Sequence, residues 1–373
     1  MPTTDNDECT WDLFKSIPSL DRPGLSVLDE TGACNELQRP HSIARLVDRR
    51  RARVPVSSMG FSMHDRLELL KLSVQLATDC TVTGLDHAPG DGPLVVTGIH
   101  CRPRGVAERT DVADGDPVFL QNGSMTDASS LGSMASAPEA LTKLDSGGWT
   151  LWETLARGRP EFGRPAVFNS CIAQSLWQSF TATLKNPAFF DEMQRFTTNE
   201  AGIEGLVTFK DSNWLLSIVL AHQPYFRKQP ADVQVVWGYA LCPARLGTVV
   251  AQPMADCNGA EILQELRDHL RFDLDTLASA HCIPCRMPYI ASMFMPRHPG
   301  DRPQPVPPNS KNFAFIGQFV EIPGDVVFAG EYSVRAAQMA VYRLLDIPRA
   351  MPPVTPHDPS LHTQFEALVK AFQ

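Results

Sequence analysis

The apolar positions of this chain change period along its length, and the sharpest change falls in residues 312–345, NFAFIGQFVEIPGDVVFAGEYSVRAAQMAVYRLL. A short apolar run at 313–316 ends at Gly317. A loop with Pro323, Gly324 and Asp325 leads to a second apolar run at 326–329, stopped by Gly330 and Glu331. From Ser333 the spacing turns helical: Val334, Ala337, Val341 and Leu344 recur three or four apart, with Ala336 and Ala340 keeping that face thin. A strand, a glycine turn and a helix of small residues bring unpaired helix N–H groups to a ligand, which suits a flavin's pyrimidine edge or a phosphate. Strand–glycine–helix units also occur throughout α/β domains that bind nothing at that point.

The same reading predicts a short helix at 11–15, a Pro-punctuated turn through Pro18 and Pro23, an irregular stretch at 31–58 and a second helix at 63–72. Short β segments follow at 74–76, 81–83 and 94–99, separated by Pro89, Gly90, Asp91 and Gly92 in the manner of a meander. A strand at 116–120 runs straight into Asn122-Gly123-Ser124-Met125-Thr126. Residues 148–156 are aromatic-rich and helical in pattern. Strands are expected at 205–210, 213–221, 233–241 and 289–295, an amphipathic helix at 261–270, and a Pro-rich polar loop at 297–308. In the tail, Leu361, Phe365, Leu368, Val369 and Phe372 share one helical face. That face can dock on the body of the protein or make peripheral membrane contact. With only His362 and Lys370 basic nearby, docking is favoured.

Charge and composition narrow the partners. A formal net charge of −9 over 373 residues, with one basic cluster at Arg49, Arg50, Arg51 and Arg53, argues against nucleic acid. Nine cysteines, an odd number without framework spacing, fit a reducing compartment. The start, MPTTDNDECTW, shows no signal-peptide pattern, and no apolar run approaches the length of a membrane span. A cytoplasmic protein is the expectation.

Catalytic motifs are sparse. His281-Cys282-Ile283-Pro284-Cys285 is a lone CxxC with no second ligand pair at zinc-finger spacing, so no metal site is assigned. The histidines are dispersed, and neither a GxSxG elbow nor a GxGxxG loop is present.

Taken together and in order, several runs resemble one family, the oleate hydratases or myosin-cross-reactive antigens. They are ECTWDLFKSIPSL (8–20), SVLDE (26–30), NGSMT (122–126), DSNW (211–214), HQPYF (222–226), QPADVQVVWGYAL (229–241), MPYIASMFMPR with GDRP (287–303), and IGQFVE with DVVFAGEYSVR (316–335). The resemblance implies an FAD-containing homodimer that adds water across the cis-9 double bond of unsaturated fatty acids such as oleate, with no net redox change at the flavin. It implies an α/β fold: an incomplete FAD-binding Rossmann-like flavoprotein fold with a β-meander and a mixed-sheet substrate region. Residues 1–72 would be a remnant of the N-terminal FAD/substrate region, 73–345 the FAD/substrate core and 346–373 an amphipathic tail. Carried over residue by residue, Asn122, Gly123, Ser124, Met125, Gln318, Asp325, Glu331, Ser333 and Val334 match segments lining the family's flavin site, and Trp214 a segment near it.

Departures from the family matter equally. The Rossmann glycine loop and the loop with a catalytic glutamate have no counterpart ahead of WDLFKSIPSL, and an internal segment carrying an acid/base tyrosine is missing where the blocks abut at Leu72–Ser73. No catalytic residue can be numbered. A positioned acid or base contributes about 10²–10⁴-fold, so losing both implies little or no hydratase activity. Two other readings stay open: a non-catalytic fatty-acid/flavin-binding module, and a redox flavoenzyme of amine-oxidase type, the latter suggested by the FAGE turn at 328–331.

Overall fold

The computed structural model describes residues 8–18, 24–29, 77, 79–90, 92–185, 187–202, 206–226, 229–272, 277–325 and 330–354. The expected helices at 63–72 and 361–372, the strand at 74–76, the apolar run at 326–329, the stretch at 31–58 and the arginine cluster lie outside these residues.

Among the described residues, three sheets and two apolar cores make up a mixed α/β architecture. β1 (Cys80–His87), β2 (Val96–Pro103) and β3 (Glu108–Asp111) form the expected antiparallel meander. β4 (Val118–Gln121) pairs in parallel with β11 (Phe313–Ile316), Val118 opposite Phe313 and Gln121 opposite Ile316. The remaining strands are β5 (Ser130–Leu131), β6 (Trp177–Leu184), β7 (Leu206–Thr208), β8 (Leu216–Val219), β9 (Gln234–Ala240) and β10 (His281–Met287). They form a six-stranded sheet in the order β5-β10-β6-β9-β8-β7, antiparallel at every pairing, so the expected mixed sheet is instead an antiparallel sheet with a separate parallel pair.

One core lies under the large sheet, where α5 (Ala188–Thr197) and α6 (Gly259–Leu270) bring Phe189, Met193, Ile262 and Leu266 onto Phe180, Trp214 and Val236. Asn258 caps α6 by accepting from Glu261 N, and Glu261 returns the bond to Asn258 N, a capping box that fixes where the helix begins. The second core is aromatic. It gathers Trp149 and Trp152 of α2 (Gly148–Ala156), Phe168 of the short α3 (Ala166–Asn169), Tyr289, Phe313, Phe315, Phe319, and Tyr332 of α7 (Gly330–Leu344). Between α3 and β6 runs the single-turn α4 (Ile172–Ser175). The α1 helix (Glu8–Ser16) packs on α7.

Two corrections concern residues 281–295. The strand expected at 289–295 is a buried turn with a 3-10 segment at Ser292–Phe294, and the strand lies one step earlier as β10. Tyr289 is drawn into the aromatic core, where its hydroxyl accepts from Lys143 N at 2.8 Å. The CxxC therefore sits within a strand, not ahead of one. Residues three apart on a strand face opposite sides, and burial pushes the Cys282 thiol up to about 12 and raises Cys285 as well. These are inert thiols.

Candidate functional site

β4 and β11 run parallel, so their carboxyl ends deliver two glycine loops side by side: Asn122-Gly123-Ser124 after β4, and Gly317-Gln318-Phe319 after β11. The crevice beyond the carboxyl ends of parallel strands is where open α/β sheets place ligands. Here it is a cleft of about 140 Å³ lined by Gln121, Gly123, Ser124, Gln318, Phe319 and Ser333, together with Ile316 and Gly317. Ser333 lies in the first turn of α7, whose N-terminal N–H groups add partial positive charge. The pattern of residues 312–345 is thus realised as strand, glycine turn and helix, with the β4 loop as the facing wall.

The walls are held by buried polar bonds. Asn312 joins three strands: its Oδ1 accepts from Val96 N at 2.8 Å, and its Nδ2 donates to Val96 O and Asp116 O. Across the cleft, Asn122 Nδ2 donates to Phe319 O at 3.0 Å, linking the two loops directly. Asp127 ties the β4 loop to the start of α2, accepting from Trp149 N and from the Ser146 hydroxyl. The Tyr332 hydroxyl donates to Val320 O at 2.7 Å and accepts from Ile322 N, which fixes α7 to the β11 loop.

Two glycines set the shape. Gly123 has φ +65° and Gly317 φ +100°, left-handed values that favour glycine. A Cβ on Gly123 would lie 2.8 Å from the Trp149 ring and 3.2 Å from Phe319. The indole of Trp149 and the ring of Phe319 meet edge-on at 4.8 Å behind this loop. One acceptor is left over: Asn122 Oδ1 is buried with no hydrogen-bond partner among the described residues. A buried unpaired oxygen costs about 1–3 kcal/mol, a cost that a ligand N–H would remove.

The residues named from the sequence separate into four groups. Gly123, Ser124, Gln318 and Ser333 line the cleft, and Asn122 is buried next to Gly123, tying the two loops together. Met125 packs partly buried against the aromatic core, and Val334 is half-buried on α7. Glu331 and Asp325 serve another task. Glu331 accepts from Cys9 N at 2.9 Å and Thr10 N at 2.7 Å, capping α1, while Arg335 pairs with Glu331 and Asp325, each at 3.0 Å. Trp214 lies in the core beneath the six-stranded sheet, its Nε1 donating to Arg245 O at 2.9 Å. Of the FAGE turn, Gly330 and Glu331 are described, and both belong to α7.

Sequence reasoning missed Gln121, Trp149 and Phe319 as parts of this site. Gln121 flanks the NGSMT motif and Phe319 lies within IGQFVE without having been singled out, so adjacency was the available signal. Trp149 had none, because its approach to Gly123 is a tertiary event. Among the described residues, no titratable side chain lines the cleft. Among the described residues no group of three or more His, Cys, Asp or Glu could hold a metal ion, and no helix is long and apolar enough to cross a membrane.

Residues 1–78 and 73–342 match the model of the MCRA family in two segments that meet where the sequence motifs abut. Oleate hydratase from Streptococcus pyogenes serotype M49 (strain NZ131) is 38% identical over 445 aligned positions, covering 92% of this chain and 75% of that protein. Linoleate hydratase from Lactiplantibacillus plantarum is 33% identical over 313 positions, covering 76% of this chain and about half, 54%, of that protein. The first alignment is longer than the 373 residues of the chain, so that relative carries residues inside the matched span with no counterpart here.

Proposed function

The chain belongs to the MCRA family, and from that premise we propose that it is a fatty-acid hydratase of the hydro-lyase class, with FAD as cofactor and an unsaturated fatty acid such as oleate as substrate. Support for the substrate class comes from the two similar proteins, an oleate and a linoleate hydratase. Support for the cofactor comes from the cleft between the β4 and β11 loops. The single observation that carries it is the unpartnered Asn122 Oδ1, buried beside two left-handed glycines at the α7 N-terminus. An isoalloxazine edge presents alternating N–H and C=O groups, and a set of one spare acceptor, two serine hydroxyls, the Gln318 amide and loop N–H groups complements such an edge. Asn122, Gly123, Ser124, Gln318 and Ser333 would hold it, and a volume of about 140 Å³ admits an edge of the ring system while the rest lies outside. Met125 and Val334 would support this wall; Glu331 and Asp325 act on it through α1, α7 and Arg335. The cofactor and substrate share the core we assign to 73–345, in an incomplete Rossmann-like arrangement, with a homodimer as the assembly.

Bound flavin supplies a rigid polar surface and undergoes no net redox change in a hydration. The chain's own residues divide the remaining tasks. The Trp149–Phe319–Phe168 cluster keeps the back of the cleft dry, and the Asn122–Phe319 bond sets its width. Hydration of an alkene further needs an acid that protonates one carbon and a base that steers water to the other. The cleft offers only amides, hydroxyls and backbone, so it orients without transferring protons. Each missing positioned group raises the barrier by about 3–5 kcal/mol. The expected behaviour is therefore flavin binding with weak turnover of oleate. Incubating the purified chain with FAD and oleate and measuring 10-hydroxystearate by mass spectrometry tests this; robust turnover overturns the account of the cleft as non-catalytic. A non-catalytic module that assists a longer family member is favoured by the same untitratable lining, and predicts no product at all.

A further inference from the structure

Two cysteines outside the cleft face one another across the meander. In the β1–β2 register Cys80 stands opposite Pro103 and Val82 opposite Cys101. Residues two apart on a strand share a face, as do directly opposed residues. Cys80 and Cys101 therefore lie on one face of the sheet as diagonal neighbours, and their thiols are within hydrogen-bonding reach of each other. Both are reduced and only half-buried. Cys80 is also the first residue of its strand, following Asp79, whose φ is +52° and whose carbonyl accepts from Arg104 N. Strand ends shift more easily than strand centres, so this end can give the small closing movement a bridge requires.

We propose that Cys80 and Cys101 are a reversible dithiol–disulfide pair, oxidised by a hydroperoxide. One thiolate attacks the peroxide oxygen, breaking the O–O bond, forming a sulfenic acid and releasing water or an alcohol. The second thiol displaces the sulfenic oxygen as water, forming the S–S bond. The pair loses two electrons and two protons, and the peroxide is reduced. Burial first, and then the neighbouring Cys80 thiol, raise Cys101 above its ordinary value. Cys80, at the strand end that can move, is the attacking group, and Cys101, within β2, the resolving one. A diagonal pair closes with strain, and strained, accessible disulfides are the readily reduced ones. The bridge is thus a switch, not a permanent staple. It acts near the cleft: Thr81, next to Cys80, abuts the start of α2, its Cγ2 lying 2.9 Å from where a Cβ on Gly147 would sit, and α2 carries Trp149.

The sequence makes the test sharp, because both cysteines lie between Lys71 and Arg104 and trypsin does not cut the Arg102–Pro103 bond, giving a single tryptic peptide, 72–104. The full chain is treated with stoichiometric hydrogen peroxide, alkylated, digested and weighed. The expected result is peptide 72–104 lighter by two hydrogens and unalkylated, restored to two alkylated cysteines by dithiothreitol. In Cys101→Ser the reaction stops at a sulfenic acid on Cys80 that dimedone traps, and Cys101→Ala repeats this in an apolar background. Peptide 72–104 remaining doubly alkylated after peroxide, or a bridge from either cysteine to a different partner, overturns the proposal.

Discussion

The indole of Trp149 occupies the space that a side chain on Gly123 would need, lying 2.8 Å from the position of its Cβ. The contact joins a loop at the end of β4 to a helix that begins 25 residues later in the chain. It gives the cleft its rear wall. Gly123→Ala adds both this clash and the strain of a left-handed alanine, about 2–6 kcal/mol together. The expected outcome is a lower melting temperature and at least tenfold weaker flavin binding, read by thermal denaturation and by quenching of flavin fluorescence.

Asn122 uses one end of its amide and leaves the other unpaired. Nδ2 is engaged by Phe319 O, whereas Oδ1 is spare. Asn122→Ala removes one hydrogen bond, a loss of about 1 kcal/mol in stability, and also removes the acceptor assigned to the flavin. Affinity is expected to fall by tenfold or more while the unfolding midpoint moves only modestly. Equal flavin affinity in the variant would remove Asn122 from the site.

Glu331 holds α1 on the body of the protein. Its carboxylate receives the backbone N–H groups of Cys9 and Thr10 and pairs with Arg335, itself nearly fully buried. Glu331→Ala leaves two helix donors and a buried guanidinium short of a partner, a loss of about 3–5 kcal/mol. Hydrogen exchange followed by mass spectrometry should show α1 losing protection ahead of β4 and β11.

Acid should loosen the loop at 247–250. Burial opposes the charge of Glu265, but N–H groups of Val250, Val249 and Thr248 outweigh it and hold the carboxyl below its ordinary 4.5. A carboxyl lowered in the folded state contributes stability that is present above pH 4.5 and lost as pH falls through the folded value. In Glu265→Gln that part of the acid dependence should vanish, with a lower plateau at neutral pH. Urea unfolding midpoints measured from pH 3 to 7 decide it.

Much of the architecture was legible where local pattern and tertiary environment agree. Residues 148–156 carry aromatic residues on a helical period between a glycine pair and Arg157-Gly158, and they form α2 with Trp149, Leu151, Trp152 and Leu155 buried. The three Val- and Ile-rich strands after residue 205 are present as β7, β8 and β9. β6 left no such trace: its inward positions are Gln178, Phe180, Ala182 and Leu184, and a buried glutamine with a small alanine blurs the alternation. At the site, the glycine loops were readable because left-handed turns need glycine. The roles of Glu331 and Trp214 were not, since their partners Thr10 and Arg245 are set by the packing of separate elements.

Titration of the purified chain with FAD, beside Gly123→Ala and Asn122→Ala, tests the central claim most directly. The account predicts saturable quenching of flavin fluorescence by the wild-type chain and at least tenfold weaker binding in both variants. Absence of binding by the wild-type chain, or equal affinity across all three proteins, would contradict it.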